Sequence, residues 1–134
     1  MSTELIQNYY GAFNRADWAA MLELLTDDVA HDLNQGVRQT GRGAFAEFLA
    51  HMDRCYREQL RDIVVMASPC QRRFAAEFVV HGTYVATDAG LPDATGQTYV
   101  LPAGAFLEVR DGRICRVTMY HNLNAWLKQV APAA

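Results

Sequence analysis

Cysteine is scarce in this chain, and the little there is forms no pattern. Cys55, Cys70 and Cys115 are odd in number and show no C-x-x-C spacing. Neither a disulfide framework nor a cysteine-based metal site is expected, and reduced thiols in a cytoplasmic setting fit best. Long apolar runs are missing too. None approaches the roughly 18 residues of a membrane span, and the N-terminus shows no basic-then-apolar leader pattern. Charge of one sign is nowhere concentrated. The net charge is −3, and Arg54, Arg57 and Arg61 alternate with Glu58 and Asp62, so no basic stripe offers itself to nucleic acid or an anionic membrane. Internal repeats, low-complexity tracts and linkers are likewise lacking.

What is present is a chain of 134 residues, 51% of them hydrophobic, enough for one domain over residues 1–134 with a core of its own. Leu5, Ile6, Tyr9, Tyr10 and Phe13 recur at helical spacing, and Asp17 is a natural N-cap for a second helix from Trp18 to Leu25. Gly41-Arg42-Gly43 opens a third helix carrying Phe45, Phe48, Leu49 and Met52. From about Leu60 the period changes to that of strands. Phe74 to Thr87 alternates, with Phe74, Ala76, Phe78, Val80, Gly82 and Tyr84 on one face and Glu77, Val79, His81 and Thr83 on the other. Residues 88–96 read as a long hairpin loop. Thr98 to Arg110 returns as a strand that Pro102 and Gly104 are expected to bulge or bend. Asp111-Gly112 is a two-residue hairpin signal before a last strand, Arg113 to Asn122, and a short final helix.

Helices first and an antiparallel meander after them make an α+β pattern. Long strands covered by helices on one face must curve. The expected architecture is a cone: a curved, mostly antiparallel sheet with the N-terminal helices on its concave face and an apolar interior open at one mouth, suited to a small molecule.

One segment stands out chemically. Thr26 to Gly36 places Asp27, Asp28, His31, Asp32, Asn34 and Gln35 in and just beyond a short strand. A carboxylate desolvated in such a strand needs a partner or a shifted pKa, so Asp32, beside His31 and Asn34, is the first candidate for chemistry. His81, Glu77 and His121 are expected on the outer sheet surface, and Phe106 and Tyr120 on the pocket wall. Val79, His81, Thr83, Val85, Val117 and Met119 are expected to form an outer, partly apolar face suited to a two-fold dimer.

The order Tyr9-Tyr10-Gly-Ala-Phe13-Asn14-Arg-Ala-Asp17-Trp18, then Leu24-Leu25-Thr-Asp27-Asp28-Val29, then Gly41-Arg42 resembles the nuclear transport factor 2-like superfamily. Its ketosteroid isomerase and SnoaL-like polyketide cyclase branches share this opening. Gly82-Thr83, Gly96-Gln97-Thr98, residues 109–114 and Tyr120-His-Asn122-Leu123 agree with it. No cofactor or metal is expected. The resemblance implies the cone and a homodimer through the outer sheet face. It places an oxyanion-holding Tyr at Tyr9 and, with a one-residue shift, the base at Asp32, which would take a proton beside a carbonyl of a small apolar ligand. The second oxyanion carboxyl falls near Ala103-Gly104, where no side chain can donate. The cyclase base position falls on Asn122, an amide; Asn122 and Tyr84 could still hydrogen-bond a ligand. Fold alone leaves two other readings open, a non-catalytic binding or assembly domain and a hydrolase or dehydratase using Asp32 with His31.

Overall fold

The structure, a computed structural model, describes residues 2–34 and 36–132; Gln35 lies outside it. The chain runs α1 (Ser2–Asn14), α2 (Trp18–Glu23), β1 (Leu25–Asp32), β2 (Arg38–Thr40), α3 (Arg42–Cys55), β3 (Tyr56–Ala67), β4 (Arg73–Tyr84), β5 (Thr98–Arg110), β6 (Arg113–His121) and α4 (Leu123–Val130). The strands form one six-stranded sheet in the order β2-β1-β6-β5-β4-β3. All neighbours are antiparallel except β1 and β6, which run parallel. The α+β cone expected from the sequence is therefore the observed fold.

Local chemistry explains most boundaries. Asp17 caps α2, its carboxylate accepting from the Ala20 amide at 3.1 Å, after Ala16 reverses the chain at φ 55°. Asp111 and Gly112 both take positive φ, 53° and 78°, as the tight turn between twisted strands requires. α3 stops at Cys55 and β3 starts directly at Tyr56, four residues before the change of period visible in the sequence. The β2 strand, only three residues long, is too short to carry a periodicity of its own.

Three ladders are interrupted, one of them β1–β6 between Leu25 and Ala30. The β3–β4 ladder shifts register between Arg61 and Val64, where Asp62 sits at φ 56°. The β5–β6 ladder shifts between Glu108 and Val109. The bulge expected at Pro102 and Gly104 is not there, since β4–β5 pairing continues from Thr98 to Glu108. Pro102 costs nothing because β6 ends at His121, opposite Ala103. The Val100 amide, two residues earlier on the same edge, bonds the Gln129 side chain rather than a strand.

The β4 alternation falls as read: Phe74, Ala76, Phe78, Val80 and Tyr84 are buried on the concave face. Across the sheet that face continues through Leu101 and Leu107 to Val117, Met119, Val29 and His31. Val117 and Met119 thus lie inside the cone rather than on the outer face expected for them. α1 packs Ile6, Tyr9 and Tyr10 onto this surface, and α3 packs Phe45 and Leu49. One tight contact fixes the far end. Gly82 lies under the Tyr99 ring, and a Cβ on it would come within 2.3 Å of that ring. Gly82→Ala is expected to destabilise the domain by about 1–3 kcal/mol through this overlap, read as a lowered midpoint in urea unfolding.

Candidate functional site

Helices and concave face enclose a cavity of about 640 Å³, within the size of small-molecule sites. Its wall is mostly apolar: Phe13, Trp18 and Met21 from the helical layer, Phe45, Phe48 and Leu49 from α3, and Phe78, Val80, Leu101 and Val117 from the sheet. Tyr9, Tyr10, His31, Asn34, His121 and Glu58 are polar members of the same lining.

Their environments differ in ways that bear on chemistry. Tyr9 is 4% exposed and packs edge-on against Tyr10 at 5.0 Å; burial pushes its hydroxyl pKa well up, so it stays a neutral donor. Tyr10 is raised for the same reason, and its hydroxyl oxygen is buried without a hydrogen-bond partner. His31 stacks on Phe45 at 4.3 Å and meets the edge of Phe48 at 4.6 Å. Burial depresses its pKa to about 4 against the opposing pull of Asp32, leaving a neutral imidazole whose Nδ1 has no partner. Asn34 accepts from the His121 amide at 3.3 Å, while its Nδ2 is buried and unbonded. Desolvation also lowers the His121 pKa, because this side chain lines the cavity instead of facing outward as expected.

Asp32 is on the other side of the sheet. It pairs with Thr118 of β6 and Arg38 of β2, the opposite parity from His31 and Val117. Arg38 grips it through Nε at 2.6 Å and Nη2 at 3.0 Å, and the Thr118 hydroxyl donates to it at 2.6 Å. These bonds hold the carboxyl down at about 2, well below the usual carboxylate range. A carboxylate so engaged outside the cone cannot reach a ligand within it, and the base assigned to Asp32 is withdrawn on that geometry.

Four other candidates also leave the pocket. Tyr84 is fully buried, donating to the Pro92 carbonyl at 2.7 Å and accepting from the Asp88 amide at 2.8 Å, so it pins the 88–92 loop. Phe106 and Tyr120 lie on the convex face, 50% and 55% exposed, with rings 5.9 Å apart. Asn122 caps α4, its carbonyl oxygen accepting from Ala125 at 3.0 Å. Tyr9, His31 and Asn34 are the candidates that do line the cavity. Tyr10, His121 and Glu58 join them without having been singled out. For Tyr10 the usable signal was its place with Ile6 and Phe13 on the buried face of α1.

At the rim, His51, Cys55 and Asp88 bring one ligand atom each within 4.8 Å of one another, the set that could hold a metal ion among the described residues. Asp88 there is already bonded to His51 at 2.9 Å and to the Tyr56 hydroxyl at 2.7 Å. Among the described residues, no helix is long and apolar enough to cross a membrane.

A helical layer on a curved open sheet around an apolar cavity is the nuclear transport factor 2-like fold. The chain matches the SnoaL-like domain over residues 6–117, and it belongs to that family. It is similar to a candidate polyketide cyclase from Xanthomonas campestris, 64% identical over 97% of this chain and 96% of that one, with a TM-score of 0.94. A candidate polyketide cyclase from Pseudomonas putida is 59% identical over 98% of both chains, TM-score 0.96. A nuclear transport factor 2-like protein from Burkholderia xenovorans, 13% identical over 96% of this chain and 95% of that one, shares the fold at a TM-score of 0.75. No match was found among curated proteins.

The Asp32 ion pair has a pH signature. Its carboxyl moves from 3.8 to about 2 on folding, so its stabilisation is present above pH 3.8 and lost as pH falls toward 2. Asp32→Asn is expected to lower the melting temperature at pH 7, with the gap to the parent closing over that window in calorimetry.

Proposed function

We propose that this protein binds a ring-sized apolar molecule carrying a carbonyl or phenolic oxygen and moves a proton at the carbon beside it. One observation carries the reading: among the described residues, Tyr10 Oη, His31 Nδ1 and Asn34 Nδ2 are buried without partners and belong to the lining of the same apolar cavity. Thr26 Oγ1, Gln39 Oε1 and Arg42 Nε, also unpaired, lie outside it. Leaving a buried donor or acceptor unsatisfied costs about 1–3 kcal/mol each. A ligand oxygen among the first three would recover that cost. The wall around them favours an apolar skeleton.

The chemistry follows from protonation states. His31, neutral above a pKa of about 4, is available to accept a proton from the α-carbon. That basicity is comparable with the roughly 4.6 of the aspartate base in ketosteroid isomerase. The C–H electron pair becomes the enolate, and its oxygen takes hydrogen bonds from neutral tyrosine hydroxyls and the Asn34 amide. Return of the proton from His31 to carbon completes isomerisation. Attack of the enolate carbon on a second carbonyl of the same molecule, with the proton passing from His31 to the alkoxide so formed, completes ring closure. The description of the Xanthomonas and Pseudomonas relatives as candidate polyketide cyclases supports ring closure.

The test uses 2-tetralone, a bicyclic ketone with exchangeable α-protons, and 2-naphthol, which has the shape of its enol. The protein should bind 2-naphthol and accelerate exchange of 2-tetralone protons in D2O, followed by NMR. His31→Asn should cut exchange by about 100-fold while 2-naphthol affinity changes little. Tyr10→Phe should weaken 2-naphthol binding about five- to tenfold. Binding of 2-naphthol without any exchange would leave the non-catalytic binding domain as the correct reading.

We also propose a homodimer through the convex face. Phe106, Tyr120, Val100, Val64 and Met66 are between 47% and 55% exposed there, a share of apolar surface that a second copy would cover. The double variant Phe106→Asp with Tyr120→Asp should sediment as a monomer where the parent is a dimer. A monomeric parent at micromolar concentration would end this proposal.

A further inference from the structure

At the α4 end of the cavity a carboxyl group sits where sequence periodicity would place an apolar side chain. Glu58 lies on the concave parity of β3, between Tyr56 and Leu60, and contributes to the cavity wall. One row of the sheet holds it. Glu58 pairs with Gly82 of β4, and Gly82 pairs with Tyr99 of β5. Tyr99 reaches across Gly82 and donates its hydroxyl to Glu58 Oε2 at 2.5 Å. Gly82 allows this, because a Cβ there would overlap the Tyr99 ring within 2.3 Å.

Three local rules are set aside to build the row: a glycine inside a central strand, a tyrosine bent over it, and a carboxyl facing apolar surroundings. Burial pushes the Glu58 carboxyl pKa up, with the Tyr99 hydrogen bond opposing it. Tyr99 itself is 3% exposed and packs on Trp126 at 6.0 Å, so its hydroxyl is held in one place. Among the described residues, no protein donor bonds the second carboxyl oxygen, Oε1. Local rules are broken together chiefly at functional sites.

The geometry points to Glu58 as a second polar anchor, which accepts a hydrogen bond from a ligand hydroxyl at the end of the cavity opposite Tyr10, with Tyr99 as its positioning residue. Tyr10 packs on Phe78 at 5.1 Å, and Glu58 stands beside Gly82, four residues further along β4. Four strand residues span about 13 Å, and the reach of the two side chains leaves room between them for two or three fused rings. The ligand class is therefore narrower than an oxygenated hydrocarbon: it carries oxygen at both ends, one an acceptor and the other a hydroxyl. This inference rests on the reading that the cavity takes such a ligand, but not on proton transfer.

Three naphthalenes separate the possibilities by fluorescence titration. 2,6-Dihydroxynaphthalene carries oxygen donors at both ends, 6-methoxy-2-naphthol loses the second donor, and 2-naphthol lacks the second oxygen. The diol should bind at least about tenfold more tightly than either of the others, beyond the twofold expected from its symmetry. In Glu58→Met the advantage should fall to about twofold, while 2-naphthol affinity is retained. In Tyr99→Phe it should fall between these limits, a change of ratio that loss of packing alone would not produce. Should Glu58→Met fold poorly, Glu58→Gln supplies the comparison with a reduced advantage. Equal binding of all three to the parent protein, or an advantage that survives in the Glu58 variants, overturns the anchor and leaves the cavity reading intact. Failure of all three to bind overturns both.

Discussion

The parallel register between β1 and β6 decides which chemistry faces the cavity. His31 is level with Val117 and Asp32 with Thr118, so alternation sends the imidazole inward and the carboxylate outward. A slip of one residue would exchange them. It would also move Val29, which is fully buried, into solvent and draw Asp28 into the core. That penalty fixes the register. The outward carboxylates are held as firmly as the inward residues: Asp28 by Arg110 at 2.6 Å, Asp32 by Arg38 and Thr118. Apolar burial on one face and ion pairing on the other thus select the same alignment, and the cavity inherits a neutral histidine in place of an ionised acid.

This explains how far the sequence could be read. β4 was legible because one parity from Phe74 to Tyr84 is apolar throughout, apart from Gly82, and the other carries Glu77, His81 and Thr83. The helices were legible for the same reason at their own period. β5 and β6 were not. Phe106 and Tyr120 are more conspicuous than Ala105 and Met119, yet the pairing of Ala105 with Met119 and Leu107 with Val117 puts the smaller residues inside. When both parities carry apolar side chains, periodicity loses its meaning and cross-strand partners decide. In β1 the pattern was present but misread. Val29, His31 and Leu33 form the inward series once histidine is counted as a member of the apolar face.

The site was legible only in part. Tyr9, His31 and Asn34 were within reach because they lie in segments whose type was clear. Tyr84 and Asn122 were chosen for their hydrogen-bonding capacity. That capacity is already used, by the 88–92 loop in one case and the first turn of α4 in the other. A side chain that could serve a ligand serves the fold equally well, and only the partner list separates the two uses. The converse holds for Tyr10 and Glu58. Neither is conspicuous in the sequence, and it is the lack of a partner for one and the position of the other in the cavity wall that distinguish them.

Spending polar groups in this way has a structural logic. A cone this apolar would be more stable with Phe at position 10, since the change removes an unsatisfied hydroxyl. The chain keeps Tyr10, and it keeps Glu58 on the same cavity wall. Elsewhere Asn14 bonds the Leu60 backbone on both sides and Gln129 does the same for Val100, while Thr26 Oγ1, Gln39 Oε1 and Arg42 Nε are buried without a partner among the described residues. What sets Tyr10, His31 and Asn34 apart is that their unpaired atoms belong to the lining of one cavity. A single bound molecule would supply partners to these three, and their positions would then describe where its polar atoms lie.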